Sequence, residues 1–174
     1  PALTEQILRA ERELTLCGIA LSSVSPILKD DRIVAFVSRK LLETKSFKVT
    51  IVILCQESGE AFDLRHREIP SRDLGKVARG ALEVIRKFRH RVGELVGESA
   101  PMSRFEVRRY QGMVPRHFLL KTDRGLSVGS YFSHREGGAS YIMELSDLGP
   151  GSLYRLFDQE LQFIMTHSEA LSEG

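Results

Sequence analysis

Four side chains between positions 117 and 130 are of types that could do acid–base or covalent chemistry: His117, Lys121, Asp123 and Ser130. A histidine can act as a nucleophile or exchange a proton, a lysine can hold an anion, and a carboxylate can orient a neighbouring histidine. Alternate side chains of a strand share one face, so His117, Lys121 and Asp123 are expected to point the same way. At about 3.3 Å per residue, His117 and Lys121 are roughly 13 Å apart, too far to hold one phosphate, whereas Lys121 and Asp123 are near enough to pair.

The opposite face of the same strand is the better candidate for the core. Phe118 and Leu120 lie on it, and large apolar side chains are usually the buried ones. The face with His117 is therefore expected to project toward a groove or a covering loop. A lone histidine on a strand is more often packed or solvent-facing than functional, so the surrounding pattern decides its role.

The N-terminal third has the pattern of a parallel strand pair. A short helix capped by Thr4 leads into residues 13–21, which are apolar at nearly every position, as in a strand covered on both faces. Apolar residues at helical spacing in 29–45 predict an amphipathic crossover helix, and the β-branched run at 47–55 predicts a second central strand. Strand, helix, strand implies that the two strands are parallel.

A long helix and several short strands complete the pattern. Residues 56–70 are polar and are expected to form a surface loop, followed by a helix that Ser71 caps and that extends to about Leu95. After a break at 97–101, strands are expected at 105–110, 117–123, 126–132 and 141–145, with a tight hairpin turn at 123–125. The last helix is expected to bury one face, formed by Leu153, Leu156, Phe157, Leu161 and Ile164, before a polar tail that frays.

This order of elements, together with the residues around Gly129 and Ser130, resembles the phospholipase D superfamily. The family motif is His-x-Lys, four residues, Asp, and then a Gly-Ser on the next strand. His117, Asp123, Gly129 and Ser130 have counterparts, but Leu119 stands where the family has its lysine, and the aspartate comes one residue early. The resemblance implies one half-domain of α/β class, a mixed sheet flanked by helices, covering residues 1–174. We expect it to be a segment of a longer protein that carries further domains.

The resemblance also implies a chemistry and a partner. In the family a histidine attacks the phosphorus, a second histidine from the other half protonates the leaving oxygen, lysines hold the phosphate, and the aspartate orients its histidine. A single half-motif must pair with a second copy, so a homodimer is expected in which His117 faces its counterpart across a two-fold axis. Leu119 removes the phosphate clamp, a loss that commonly costs on the order of 10²-fold in rate.

Three functions remain open. The leading hypothesis is a non-catalytic or weakly catalytic module of a larger bacterial regulatory or defence protein, which senses an anionic, phosphate-containing ligand and dimerises. The alternative is an active phosphodiesterase or nuclease that uses His117 as its nucleophile in a homodimer. The third is a pure dimerisation module whose interface is the strand face around His117.

Two further sets of residues could bind anions. Arg116 precedes the histidine, and His134 and Arg135 belong to a glycine-rich loop after the Gly-Ser strand; an arginine can hold a phosphate with two parallel hydrogen bonds. A second cluster lies near the end of the long helix and could bind a polyanion, either nucleic acid or an anionic membrane surface. Its members are Arg86, Lys87, Arg89 and Arg91.

Composition is that of one ordinary globular domain. The chain has 174 residues, 42% of them hydrophobic and 28% charged, with a net charge of +2. An apolar run of roughly 20 residues and a secretory signal are both missing from the sequence, so a cytoplasmic location is expected. Cys17 and Cys55 lie in apolar segments without partners at metal-ligand spacing, and neither a P-loop nor a GxGxxG motif occurs. Neither a disulfide, a metal nor a cofactor is expected.

Overall fold

The computed structural model describes residues 2–19, 21, 24–54, 74–97, 99–110, 117–130 and 141–171. The helices within these ranges are α1 (Ala2–Leu8), α2 (Ser25–Leu28), α3 (Asp31–Glu43), α4 (Leu74–Val96), α5 (Ser99–Met102) and α6 (Leu153–Thr166). The strands are β1 (Glu13–Gly18), β2 (Lys48–Leu54), β3 (Phe105–Tyr110), β4 (His117–Thr122), β5 (Gly125–Ser130), β6 (Ile142–Leu145) and β7 (Ser168–Ala170).

All seven strands belong to one open, mixed sheet with the order β6-β5-β4-β1-β2-β3-β7. Strands β1, β2 and β3 are parallel, because helices follow β1 and β2 and carry the chain back to the start of the next strand. The strands on either side of this parallel centre are antiparallel to their neighbours. The expected α/β class, a mixed sheet flanked by helices, is confirmed, and so is the parallel strand pair.

The helices cover the two faces of the sheet unequally. Helices α1 to α4 pack on one face, where Ile7, Leu41 and Phe88 join Leu16 and Ile51 of the central strands in a buried core. Helix α6 lies on the other face. It buries Leu161 and Ile164 against Leu119, Val128 and Cys17 in a second, smaller core. The strand that carries His117 is therefore covered on both faces.

Local signals in the sequence account for several element boundaries. The Asp30 carboxylate accepts the backbone N–H of Arg32 and so begins α3, and the Ser152 hydroxyl accepts the N–H of Arg155 at the start of α6. Thr122 pairs with Gly125 across a two-residue turn, which confirms the predicted hairpin at 123–125.

Three expectations about the ends of the chain are wrong. Helix α1 begins at Ala2, so Thr4 is a buried residue inside it and not its cap. Residues 168–170 of the polar tail, which was expected to fray, form β7 and pair with β3, and the Arg108 guanidinium donates to the Ser168 hydroxyl and carbonyl at 2.8 and 2.7 Å; residues 172–174 lie outside the described residues. Leu153 and Leu156 are 55% and 57% exposed, although they were expected in the buried face of the last helix.

Some expectations concern residues outside the described ranges. Ser71, Cys55 and the loop at 56–70 lie outside the described residues. Within the described ranges, no helix combines the length and the apolar character that crossing a bilayer would require.

Candidate functional site

His117 lies at the edge of the sheet where most of the strands end. The parallel strands β1, β2 and β3 all end at this edge, and β5, which runs in the same direction as β1, ends there at Ser130. Strand β4 runs the opposite way and therefore begins there, at His117. In open α/β sheets, ligands bind outside the carboxyl ends of the strands. The topology thus places the predicted histidine where such sheets carry their sites.

Ser130 is the direct cross-strand neighbour of His117. The two residues are paired in the β4–β5 register, and directly opposed residues of an antiparallel pair project from the same face with Cβ atoms about 5 Å apart. The imidazole also packs edge-to-face on the Phe157 ring of α6, with ring centroids 4.9 Å apart and an interplanar angle of 74°. Phe157 therefore holds the imidazole of a residue that is paired in register with Ser130.

Lys121 belongs to the packing of α6 against the sheet and not to the His117 edge. Its ammonium lies 2.8 Å from Asp158 on α6 and 3.3 Å from Glu13 on β1, and only 13% of its side chain is exposed. Burial acts to lower the pKa of Lys121, but the close contact with the Asp158 carboxylate and the charge of Glu13 outweigh it and raise the pKa above its ordinary value. The ammonium is therefore held charged between two carboxylates.

The Asp158 carboxylate depends on this ion pair. Its Oδ1 atom is buried and accepts no aligned hydrogen bond from the described residues, although the Lys121 ammonium is 2.8 Å away. The contact is thus an ion pair that balances charge rather than a well-directed hydrogen bond. A buried carboxylate oxygen without this cation would be left uncompensated.

Asp123 also has a structural task. Its Oδ1 atom accepts the backbone N–H groups of Glu11 and Arg12, at 2.8 and 2.9 Å, and so holds the start of β1 to the β4–β5 turn. Partial burial acts to raise the pKa of Asp123, but these backbone hydrogen bonds outweigh it and lower the pKa. The carboxylate lies at the opposite end of β4 from His117, about 20 Å away along the strand, and cannot orient the imidazole.

The predicted pairing of Lys121 with Asp123 is therefore wrong. Each of the two charges has partners from elsewhere in the chain: Lys121 from β1 and α6, and Asp123 from the segment before β1. Leu119, which stands where the resembled family has its lysine, is 1% exposed and packs beneath α6. The structure brings His117 and Ser130 together and separates the lysine and the aspartate from them.

The remaining predicted ligand contacts are Arg116, His134 and Arg135, and all three lie outside the described residues. Each is close in sequence to a strand end at the His117 edge, since Arg116 directly precedes β4 and the other two follow β5. No group of His, Cys, Asp and Glu side chains in the described ranges is arranged to hold a metal ion.

The predicted basic cluster on α4 does not form one continuous cationic surface. Arg91 makes an ion pair with Asp31 and donates to the Lys29 carbonyl at 3.2 Å. Arg89 donates to the Phe105 carbonyl at 3.5 Å and places its guanidinium 6.0 Å from the centre of that ring. These two arginines attach α4 to neighbouring elements.

The other two members of the cluster have different surroundings. The ammonium of Lys87 pairs with Glu83 on the same helix at 2.6 Å. Arg86 is exposed and lines a cavity of about 440 Å³ between α4, α5, β3 and β7.

The expectations from the sequence did not include an exposed apolar surface on α6 and β6. Seven of the nine large apolar side chains that are exposed in the described residues fall between positions 141 and 163. They are Tyr141, Ile142, Met143, Leu148, Leu153, Leu156 and Phe163. The signal was present in the sequence, because the apolar stripe of α6 is wider than one core face requires.

Comparison with known proteins adds a likeness of fold. No family model and no curated protein matches the chain. A solved structure that is similar is that of TrmBL2, an archaeal chromatin protein described as showing a novel mode of DNA binding. The two chains are 13% identical, the match covers 98% of this chain and 49% of that one, and the TM-score is 0.50. This chain thus spans about half the length of TrmBL2, and the likeness concerns the fold alone.

Proposed function

We propose that the chain is a non-catalytic, phospholipase D-like regulatory module that binds a phosphate-containing anion at the sheet edge beside His117 and Ser130. A protonated imidazole and a hydroxyl group both donate hydrogen bonds, which suits them to an anion. Their side-by-side register at the strand ends supports binding at this edge. The resemblance to the phospholipase D superfamily indicates phosphate as the anion.

One observation carries the non-catalytic assignment. The Lys121 ammonium is already held between Glu13 and Asp158. Phosphoryl-transfer sites depend on fixed cations around the phosphate oxygens. A lysine committed to an interior ion pair cannot supply that charge to a group held by His117. The edge keeps donors that can recognise an anion, but not the lysine that the family uses to stabilise the transition state.

A titration with inorganic phosphate tests the binding site. We expect saturable shifts of the His117 imidazole signals in a proton–nitrogen NMR spectrum. His117→Ala and Ser130→Ala should each weaken binding, by on the order of tenfold for a hydrogen bond to a charged group. His167→Ala is the matched control, because this histidine lies at the end of α6 and its Nδ1 contacts the Phe163 carbonyl. Equal weakening by all three variants would contradict the site.

Arg116, His134 and Arg135 are proposed as further contacts to the same anion. An arginine that adds a bidentate contact contributes a second charge-assisted hydrogen bond. Adding Arg116→Ala or Arg135→Ala to the His117→Ala variant should therefore weaken phosphate binding further than His117→Ala does alone. Combined variants that bind as well as the single His117 variant would remove these residues from the site.

An active phosphodiesterase remains the alternative. The observation that favours it is the imidazole itself, which Phe157 holds beside Ser130 at a strand end. A second copy of the chain would have to supply the other histidine. Hydrolysis of a dinucleoside phosphodiester by the wild-type chain, abolished by His117→Ala, would establish this activity and overturn the non-catalytic proposal.

We also propose that a second copy of the chain covers the apolar surface of α6 and β6. The strand face around His117, which the sequence suggested as an interface, packs against α6 of the same chain through Leu119, Leu161 and Ile164. The exposed flank of α6 points the other way. At 100° per residue, Leu156 and Phe163 lie roughly 140–160° around the helix from Asp158, which contacts β4.

The position of this surface at one end of the sheet suits self-association. Strand β6 is at the end of the sheet order, and an edge strand can pair with its own copy about a two-fold axis. An exposed patch of several large apolar side chains offers on the order of several hundred Å², and stable interfaces bury about 800 Å² per partner.

Light scattering during size-exclusion chromatography tests this dimer. Leu156→Glu and Phe163→Glu should each produce a monomer, because a charge in an apolar interface is costly. Leu95→Glu is the control, since Leu95 is 57% exposed on α4, outside the surface. A wild-type monomer, or a dimer that survives both α6 variants, would contradict this interface.

Nucleic acid is a further candidate partner, because TrmBL2 is described as a DNA-binding protein. The basic side chains of α4 are the natural contact region in this chain. Two of the four, Arg89 and Arg91, serve the packing of α4, which leaves Arg86 and Lys87 as the principal contacts. Retardation of duplex DNA that is lost in an Arg86→Ala/Lys87→Ala variant would support this partner.

A further inference from the structure

The 440 Å³ cavity between α4, α5, β3 and β7 is separate from the His117 edge. It is lined by the first half of β3, at Phe105 and Val107, whereas His117 lies beyond the carboxyl end of that strand. Its size falls within the range of about 300–1,000 Å³ that is typical of small-molecule sites.

One wall carries two arginines and a histidine. Arg86, Arg89 and His90 line the cavity, and the last two are three and four residues after Arg86, so all three share one face of α4. The Arg89 guanidinium is oriented by its hydrogen bond to the Phe105 carbonyl and by its position over the Phe105 ring. His90 is 3.5 Å from Glu94, which lies one turn further along α4, in the direction away from Leu82.

The other walls are apolar. Leu82 lies one turn before Arg86, Met102 comes from α5, and Val107 and Leu171 come from β3 and the residue after β7. The Leu171 backbone N–H donates to the Val107 carbonyl at 2.8 Å and holds this wall in place. Among the described residues that line the cavity, Glu106 is the acidic one, and its carboxylate is 3.1 Å from the Arg108 guanidinium, which offsets its charge.

A concave site with cations on one side and apolar side chains on the other selects a particular kind of ligand. A polyanion such as DNA presents rows of phosphates and no apolar body, so it would leave the apolar walls unfilled. A small molecule with one anionic head and an apolar body would satisfy both walls at once. Arg86 and Arg89 of the predicted polyanion cluster thus line a pocket.

We propose that this cavity binds a small amphipathic anion, with its carboxylate or phosphate head at Arg86, Arg89 and His90 and its apolar body against Leu82, Met102 and Leu171. The site is independent of the anion proposed at His117. It gives the chain a second ligand, which is bound near the start of β3 and away from the His117 edge.

A titration with octanoate, followed through the methyl signals of Leu82, Met102, Val107 and Leu171, tests the pocket. We expect saturable shifts at these methyl groups. Acetate, which is the head alone, and 1-octanol, which is a neutral analogue of the same length, should each bind at least about tenfold more weakly, because each satisfies only one wall.

Variants distinguish the pocket from general attraction to a basic helix. Arg86→Ala should weaken octanoate binding by on the order of tenfold, and Met102→Asp should abolish it by placing a like charge inside the cavity. The matched control is Arg79→Ala, an exposed arginine two turns earlier on α4, which should bind octanoate like the wild type. His117→Ala should also leave octanoate binding intact, so failure of the His117 site would not affect this result.

Two outcomes would overturn the proposal. The first is equal affinity for octanoate and 1-octanol, or shifts confined to methyl groups outside the cavity. The second is duplex DNA that displaces octanoate while Arg79→Ala and Arg86→Ala weaken DNA binding equally, because α4 would then be a polyanion surface and not the wall of a pocket.

Discussion

Replacing Lys121 with methionine tests whether this lysine holds α6 on the sheet. Methionine keeps the length and apolar stem of the side chain but removes the charge between Glu13 and Asp158. The Asp158 Oδ1 atom is buried, so the variant would leave a carboxylate without its cation. We therefore expect Lys121→Met to lower the free energy of unfolding rather than to alter the His117 edge.

The size of the loss follows from the burial of the pair. Removing one partner of a fully buried ion pair costs about 3–5 kcal/mol. The Lys121 and Asp158 side chains keep 13% and 19% exposure, so solvent screens part of the uncompensated charge and we expect a loss of about 2–3 kcal/mol. Asp158→Leu in the Lys121→Met background should recover about 1–2 kcal/mol, because it removes the stranded carboxylate.

Urea unfolding followed by circular dichroism measures these changes through the midpoint, provided that the slope is unchanged. Lys87→Met is the matched control. Its ammonium is 2.6 Å from Glu83, but both side chains are mostly exposed, at 72% and 65%, so the cost should stay within about 0.5 kcal/mol. A Lys121→Met loss no larger than that of Lys87→Met, or a double variant with purely additive effects, would refute the structural role.

Three other predictions concern the described chain. Asp123→Asn should cost about 1 kcal/mol of stability at neutral pH. Because the pKa of Asp123 is lowered in the fold, the wild type has this advantage above the unfolded pKa of about 3.9 and loses it as the pH falls through the lower folded pKa. Urea midpoints measured across acidic pH would show this loss. Burial, together with the Glu160 charge, raises the pKa of Cys17 to about 12. In a Cys55→Ser background, iodoacetamide should therefore label the Cys17 thiol at pH 8 only when urea unfolds the chain. Rapid labelling without urea would contradict the burial of Cys17. Arg104 donates to the carbonyls of Thr44 and Phe47 at 2.6 and 3.0 Å, so Arg104→Met should lower stability by about 2 kcal/mol by removing these part-buried hydrogen bonds. An unchanged melting temperature would count against this role.

Elements with a strong local pattern could be predicted from the sequence. The parallel pair of β1 and β2 follows from two nearly continuous apolar runs joined by an amphipathic helix, and the β4–β5 hairpin follows from Asp123-Arg124-Gly125 between two apolar strands. These signals are complete within a few residues. Contacts with the rest of the chain add little to what these local signals already predict.

The roles of Lys121 and Asp123 could not be predicted in the same way. The partner of Lys121 is on α6 and the partners of Asp123 are backbone groups before β1, so neither contact leaves a trace in the nearby sequence. Spacing along β4 put the two residues on one face and suggested a pair, whereas the fold offered each a better partner. Strand β7 is another such case, because three polar residues form a strand only when β3 and Arg108 are beside them.

Phosphorus NMR of a dinucleoside phosphodiester, recorded with the wild-type chain and with His117→Ala, tests both anion binding at His117 and the proposed lack of catalysis. We expect the wild type to broaden or shift the phosphodiester signal, the variant to lose this effect, and no new monoester signal to appear over time. Growth of a monoester signal with the wild type would contradict the non-catalytic assignment, and identical broadening by the two proteins would contradict binding at His117.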